Sequence, residues 1–160
     1  REFVDDELYN LWSKFKTGVR ILVLSDSCHS GTVTRDIPMF VGGGPKPRAM
    51  PREIAVKTEN ANRALYRAIQ EENRGAEKTK VAASVLLLSG CMDNQTSMDG
   101  DHNGAFTGTL KKVWNNGGFV GGYRKFRDKI VSLMPSTQTP NYYFIGAANS
   151  LYEAQTPFSI

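Results

Sequence analysis

Two uninterrupted aliphatic runs, Ile21-Leu22-Val23-Leu24 and Val85-Leu86-Leu87-Leu88, constrain what this chain can fold into more than any other feature. A strand with one wet face alternates apolar and polar residues, whereas a strand covered on both faces is apolar throughout. Both runs therefore predict fully buried strands, the first over residues 20–25. Helical spacing surrounds them. Val4, Leu8, Leu11, Trp12 and Phe15 recur at helical intervals, with Asp5, Asp6 and Glu7 in front, Lys14 and Lys16 behind and Gly18 as the stop. Ala61, Leu65, Ala68 and Ile69 line one face of a helix expected over 58–73. Phe106, Leu110, Val113 and Trp114 mark another, closed by Asn115-Asn116-Gly117-Gly118. Tyr123, Phe126, Ile130, Leu133 and Met134 mark a fourth, stopped by Pro135, and Tyr142-Tyr143-Phe144-Ile145-Gly146 reads as a last strand. Aliphatic strands alternating with helices predict an α/β fold, a mostly parallel sheet with helices on both faces.

The 160 residues, 40% apolar and 22% charged, suit one domain with a core of its own. The net charge of +4 does not point to nucleic acid. Residues 35–80 hold ten Lys/Arg and six Asp/Glu, an excess that accounts for the whole surplus, and their two aromatics, Phe40 and Tyr66, are too few to interleave with the charges as a base-stacking surface requires. The first half of that segment, with Gly42-Gly43-Gly44-Pro45-Lys46-Pro47 and further prolines at Pro38 and Pro51, reads as a loop. Cys28 and Cys91 lack metal-type spacing and do not form a disulfide framework, so a reducing, cytoplasmic setting is expected. Residues 1–6 have neither the basic start nor the apolar stretch of a leader, and no run approaches the length that crosses a bilayer. The expectation is a soluble protein with neither nucleic-acid nor membrane partners.

In α/β sheets, functional groups gather just beyond the carboxyl ends of strands. Cys28 stands three residues past the first predicted strand, in Ser25-Asp26-Ser27-Cys28-His29-Ser30-Gly31. A free cysteine is most often a small buried hydrophobe. The polar, turn-forming neighbours here fit a reactive thiol at a strand tip better.

Asp26-Ser27-Cys28-His29-Ser30-Gly31-Thr32 resembles the nucleophile segment of metacaspases and the related bacterial caspase-like proteases. Val4-Asp5-Asp6-Glu7-Leu8 is similar to the acidic helix start that precedes that strand in the family. Residues 89–99, SGCMDNQTSMD, resemble the start of the small-subunit region, and Asn103-Gly104-Ala105-Phe106-Thr107 and Gln138-Thr139-Pro140-Asn141-Tyr142 extend the match over nearly the whole chain. The resemblance implies a caspase-like three-layer sandwich of which this chain supplies part. Residues 1–34 then end the large subunit and carry the nucleophile, 35–80 are an intersubunit loop and helix, and 81–160 are the small subunit.

The same resemblance implies a cysteine endopeptidase with Cys28 as nucleophile. The clan's basic histidine lies about 50 residues before the cysteine, and only 27 residues precede Cys28. His29 is not the base position in the family, and His102 sits in a polar glycine-rich loop. The imidazole is therefore expected from an N-terminal fragment outside this chain. A second oxyanion donor is expected from the same place, and losing one such donor costs roughly two to three powers of ten in rate, so the chain alone should be nearly inert. Caspases hold an acidic guest with a Gln two residues before the nucleophile and an Arg in a Ser-x-Arg stretch. Here those positions are Asp26 and, within Ser97-Met98-Asp99, Asp99. Reversed charge implies a protein or peptide substrate with Arg or Lys before the cleaved bond, held by Asp26, Ser97 and Asp99. The alternative for Asp26 is a turn or helix-capping carboxylate. Arg48, Arg52, Arg74, Lys78 and Lys80 become self-cleavage points under this reading, or plain solvated charge.

No cofactor is needed for such chemistry. Some metacaspases are switched on by calcium bound to aspartates near this acidic helix; Asp5 and Asp6 match that pair, Asp36 is a further candidate beside it, and acids in a helix's first turn also complement its dipole with no metal. The stretch Asp99-Gly100-Asp101-His102-Asn103-Gly104 imitates an EF-hand opening, but the required bidentate Glu is Leu110 here. Cys91, without a matched base, reads as structural. The competing function is an inactive caspase-fold scaffold or binding module.

Overall fold

In the computed structural model, which describes residues 5–26, 51–90 and 104–159, the second aliphatic run becomes the middle of a three-stranded sheet. The strands are β1 (Arg20–Ser25), β2 (Ser84–Ser89) and β3 (Asn141–Gly146), in the order β1-β2-β3. Every residue of β2 is buried, as its unbroken apolar pattern requires. Burial of Val85, Leu86 and Leu88 stabilises the fold by roughly 1.5–3 kcal/mol per side chain. β1, equally apolar, is not fully buried. It lies at one edge of the described sheet, and Leu24 is 45% exposed.

Strand directions follow from the hydrogen bonds beside them. The Ser84 N–H donates to the Val19 carbonyl at 2.9 Å and the Gly90 N–H to that of Ser25 at 2.7 Å. Both partners advance together, so β1 and β2 run parallel. At β3 the sense reverses: the Ala147 N–H donates to Ala83 at 3.0 Å, while Gln138, before β3, reaches Gly90, after β2.

The helices fall into two compact units. The first contains α1 (Asp5–Ser13), α2 (Arg52–Ala61), α3 (Arg63–Glu72) and a short 3-10 turn, Ala76–Lys78. Trp12 of α1 is buried, α1 packs on the 3-10 turn, and the Asn10 amide donates to the Asn73 side-chain carbonyl at 2.6 Å. The single helix expected over 58–73 is instead two. α2 starts after Pro51, whose fixed φ suits a helix entry, and Asn62 breaks the run while its side-chain amide donates to the Thr58 carbonyl at 2.8 Å.

The second unit contains α4 (Ala105–Trp114), α5 (Tyr123–Leu133) and α6 (Ser150–Ala154). α4 and α5 pack through Phe106, Leu110 and Val113 on one side and Tyr123, Phe126 and Ile130 on the other, all buried and all at helical spacing. Edge-on aromatic contacts close this core: Phe119 to Phe126 at 5.0 Å, Tyr123 to Tyr152 at 5.6 Å and Phe126 to Phe158 at 5.9 Å. The left-handed Asn115 and Asn116 end α4 where the sequence placed its stop. α6 was not anticipated; the Asn149 side chain caps it by accepting from the Tyr152 N–H at 2.9 Å.

Candidate functional site

The site is built from the carboxyl ends of β1 and β2. Asp26 follows the last residue of β1 and is half-buried. Its partner is Thr107, 81 residues later, in the first turn of α4. Gly104, at the N-cap of α4, has no side chain with which to cap the helix. Asp26 supplies that function from a distance. Its Oδ2 accepts from the Thr107 hydroxyl at 2.6 Å and from the Thr107 N–H at 3.2 Å, and a carboxylate at this end also suits the helix dipole.

A second set of bonds fixes the neighbouring strand end. Gly90 lies just past β2; its N–H donates to Ser25, the residue before Asp26, and its carbonyl accepts from the Gln138 Nε2 at 2.7 Å. Gln138 is fully buried, so its amide forms a bond screened from water. Gln138 in turn is positioned by its own N–H, which donates to the Pro135 carbonyl at 3.0 Å. The rim at which β1 and β2 end is thus tied to α4 through Thr107 and to the approach of β3 through Gln138.

The sequence-predicted residues distribute unevenly over this geometry. Asp26 is at the rim, and its capping role and a binding role are compatible, because an ionised carboxylate has about four acceptor positions. Cys28, Ser97 and Asp99 lie outside the described residues, as do Asp36, His29, His102 and Cys91. Asp5 and Asp6 open α1. Among the described residues no group of three or more His, Cys, Asp and Glu gathers as a metal site. Calcium takes roughly six to eight oxygens, so Asp5 and Asp6 would supply at most part of such a site. No helix among the described residues is long and apolar enough to cross a membrane. Sequence reasoning assigned no role to Thr107 or Gln138. The one local signal for the first was a helix beginning at a glycine, which needs its cap from elsewhere.

Comparison with known proteins agrees with this architecture. Residues 1–152 match the family described as the Caspase domain. Metacaspase-1 of Kluyveromyces lactis is 31% identical over 131 residues, covering 67% of this chain and 30% of the relative. Metacaspase-1 of Saccharomyces cerevisiae is 30% identical over 136 residues, covering 69% and 31%. The crystal structure of a protein from Geobacter sulfurreducens superposes with a TM-score of 0.86 at 49% identity, over 99% of this chain and 58% of that one. The chain thus spans under a third of these curated relatives and a little over half of the solved structure. The family match over residues 1–152, the metacaspase relatives and the superposition over 99% of the chain show that this chain belongs to the caspase domain family, among metacaspase-like members.

Proposed function

We propose that the chain is the C-terminal part of a cysteine endopeptidase that cuts peptide bonds after Arg or Lys. Cys28 attacks as thiolate, and an imidazole carried by an N-terminal fragment of the same protease takes its proton and later passes a proton to the leaving amine. The Cys28 N–H is one oxyanion donor; the second comes from the fragment that carries the imidazole. Asp26, Ser97 and Asp99 hold the cationic side chain. In this reading residues 1–34, 35–80 and 81–160 are the large-subunit end, the intersubunit segment and the small subunit, and the working compartment is reducing, which suits a cytoplasmic enzyme. Calcium enters as an activator bound by Asp5, Asp6 and Asp36 with ligands from elsewhere, outside the chemistry itself.

The observation that supports this reading most is Asp26: a carboxylate anchored at the tip of β1, two residues before the thiol in sequence. A half-buried carboxylate there favours guanidinium or ammonium and repels an acidic guest. The test is hydrolysis of matched fluorogenic peptides ending in Arg, Lys or Asp by the chain combined with its N-terminal fragment. Arg and Lys peptides are cut and the Asp peptide is not, Cys28→Ala abolishes turnover, and Asp26→Asn lowers kcat/KM for Arg roughly tenfold to a hundredfold. Preference for the Asp peptide overturns the specificity. A chelator that stops turnover, with calcium restoring it, supports the activator role.

A further inference from the structure

Thr107 engages the Asp26 carboxylate through one oxygen: both of its donors, Oγ1 at 2.6 Å and the main-chain N–H at 3.2 Å, converge on Oδ2. An ionised carboxylate has about two acceptor positions per oxygen. Thr107 therefore engages both positions of Oδ2. A guanidinium binds a carboxylate best as a fork, with one N–H to each oxygen, and that fork is what separates Arg from Lys. An ammonium is a point charge and needs no fork.

We infer that Thr107 is a positioning residue that sets how strongly this protease prefers Arg over Lys: by engaging Oδ2 twice, it holds the carboxylate as a charge for cations of either shape instead of a two-pronged acceptor. The inference rests on the proposed role of Asp26 in receiving the substrate's cationic side chain. Thr107 acts through Asp26. Its main-chain donor is fixed by α4, so the hydroxyl is the part a substitution can remove.

The experiment measures kcat/KM on two peptides that differ only in Arg or Lys before the cleaved bond, with the chain and its N-terminal fragment as the enzyme. The readout is the ratio of the two values, which does not depend on how much of a variant is folded. Thr107→Val removes the hydroxyl and with it one of the two Thr107 donors to Oδ2; the Arg-to-Lys ratio rises at least about threefold. Thr107→Ser keeps the hydroxyl and the ratio of the unsubstituted enzyme. A ratio unmoved or lowered by Thr107→Val, with both peptides losing equally, overturns the inference and leaves Thr107 as a helix cap. The underlying reading fails separately: in that case Asp26→Asn leaves turnover of both peptides unchanged, or neither peptide is cut by the unsubstituted enzyme.

Discussion

Gln138 donates its side-chain amide to the Gly90 carbonyl at 2.7 Å from a position only 1% exposed. The pair joins the approach to β3 to the exit of β2, and Gly90 is also the residue that donates to Ser25 at the tip of β1. Leucine at position 138 fills similar space and offers no donor. Gln138→Leu leaves a buried carbonyl without its donor and lowers stability by about 1–3 kcal/mol, read as a shifted denaturant midpoint with an unchanged slope. Gln138→Glu costs more at neutral pH than in acid, because only the protonated carboxyl can donate.

Two glycines differ sharply in what a methyl group would meet. Gly146 has φ +80°, and a Cβ there would lie 2.3 Å from the Ala83 carbonyl oxygen, which accepts from the Ala147 N–H, and 2.8 Å from that of Val81. Gly146→Ala must break that backbone arrangement and lowers stability by roughly 2–4 kcal/mol. Gly108 sits within α4 with nothing within 4 Å of its would-be Cβ. Gly108→Ala gains about 0.5–1 kcal/mol from helix propensity. Thermal unfolding of the two variants moves in opposite directions.

Tyr142 predicts a loss of stability in alkali. Partial burial, and then its hydrogen bond to the Glu153 carboxylate at 2.5 Å and that group's negative charge, push its pKa well above the ordinary tyrosine value, while Arg124 pulls the other way. Arg124 also bonds Glu153 at 2.7 Å and stands 5.0 Å from the centre of the Tyr142 ring. The folded state holds the phenolic proton more tightly than the unfolded chain does. This contribution is therefore complete below about pH 10 and is lost as pH rises through the raised folded value. Tyr142→Phe flattens the alkaline fall in stability, and an absorbance titration of tyrosinate in the folded protein loses one late-ionising group.

Hydropathy located the strands and most helices because burial on both faces leaves an aliphatic run and a helix leaves a periodic one. It did not distinguish β1 from β2. Both are aliphatic throughout, yet β2 has a strand on each side and β1, among the described residues, on one. The parallel pairing of β1 and β2 fits the mostly parallel sheet expected, but the reversal at β3 was invisible, since it rests on which main-chain groups meet, not on side-chain pattern. Asn62 ends one helix and precedes another through its own side-chain bond, a local effect weaker than the apolar spacing that runs across it. At the rim, Asp26 was visible in the sequence as a charge two residues before Cys28. Thr107 was not: a link across 81 residues leaves no trace in local spacing.

Covalent capture tests the central claim most directly. The chain combined with its N-terminal fragment is treated with a peptide carrying arginine and a thiol-reactive electrophile in place of the cleaved bond, and the adduct is mapped by mass spectrometry. The account predicts one label, on Cys28, competed by arginine peptides, slowed by Asp26→Asn and absent in Cys28→Ala. Labelling that ignores Cys28→Ala, or an aspartate peptide that labels faster than the arginine one, contradicts it.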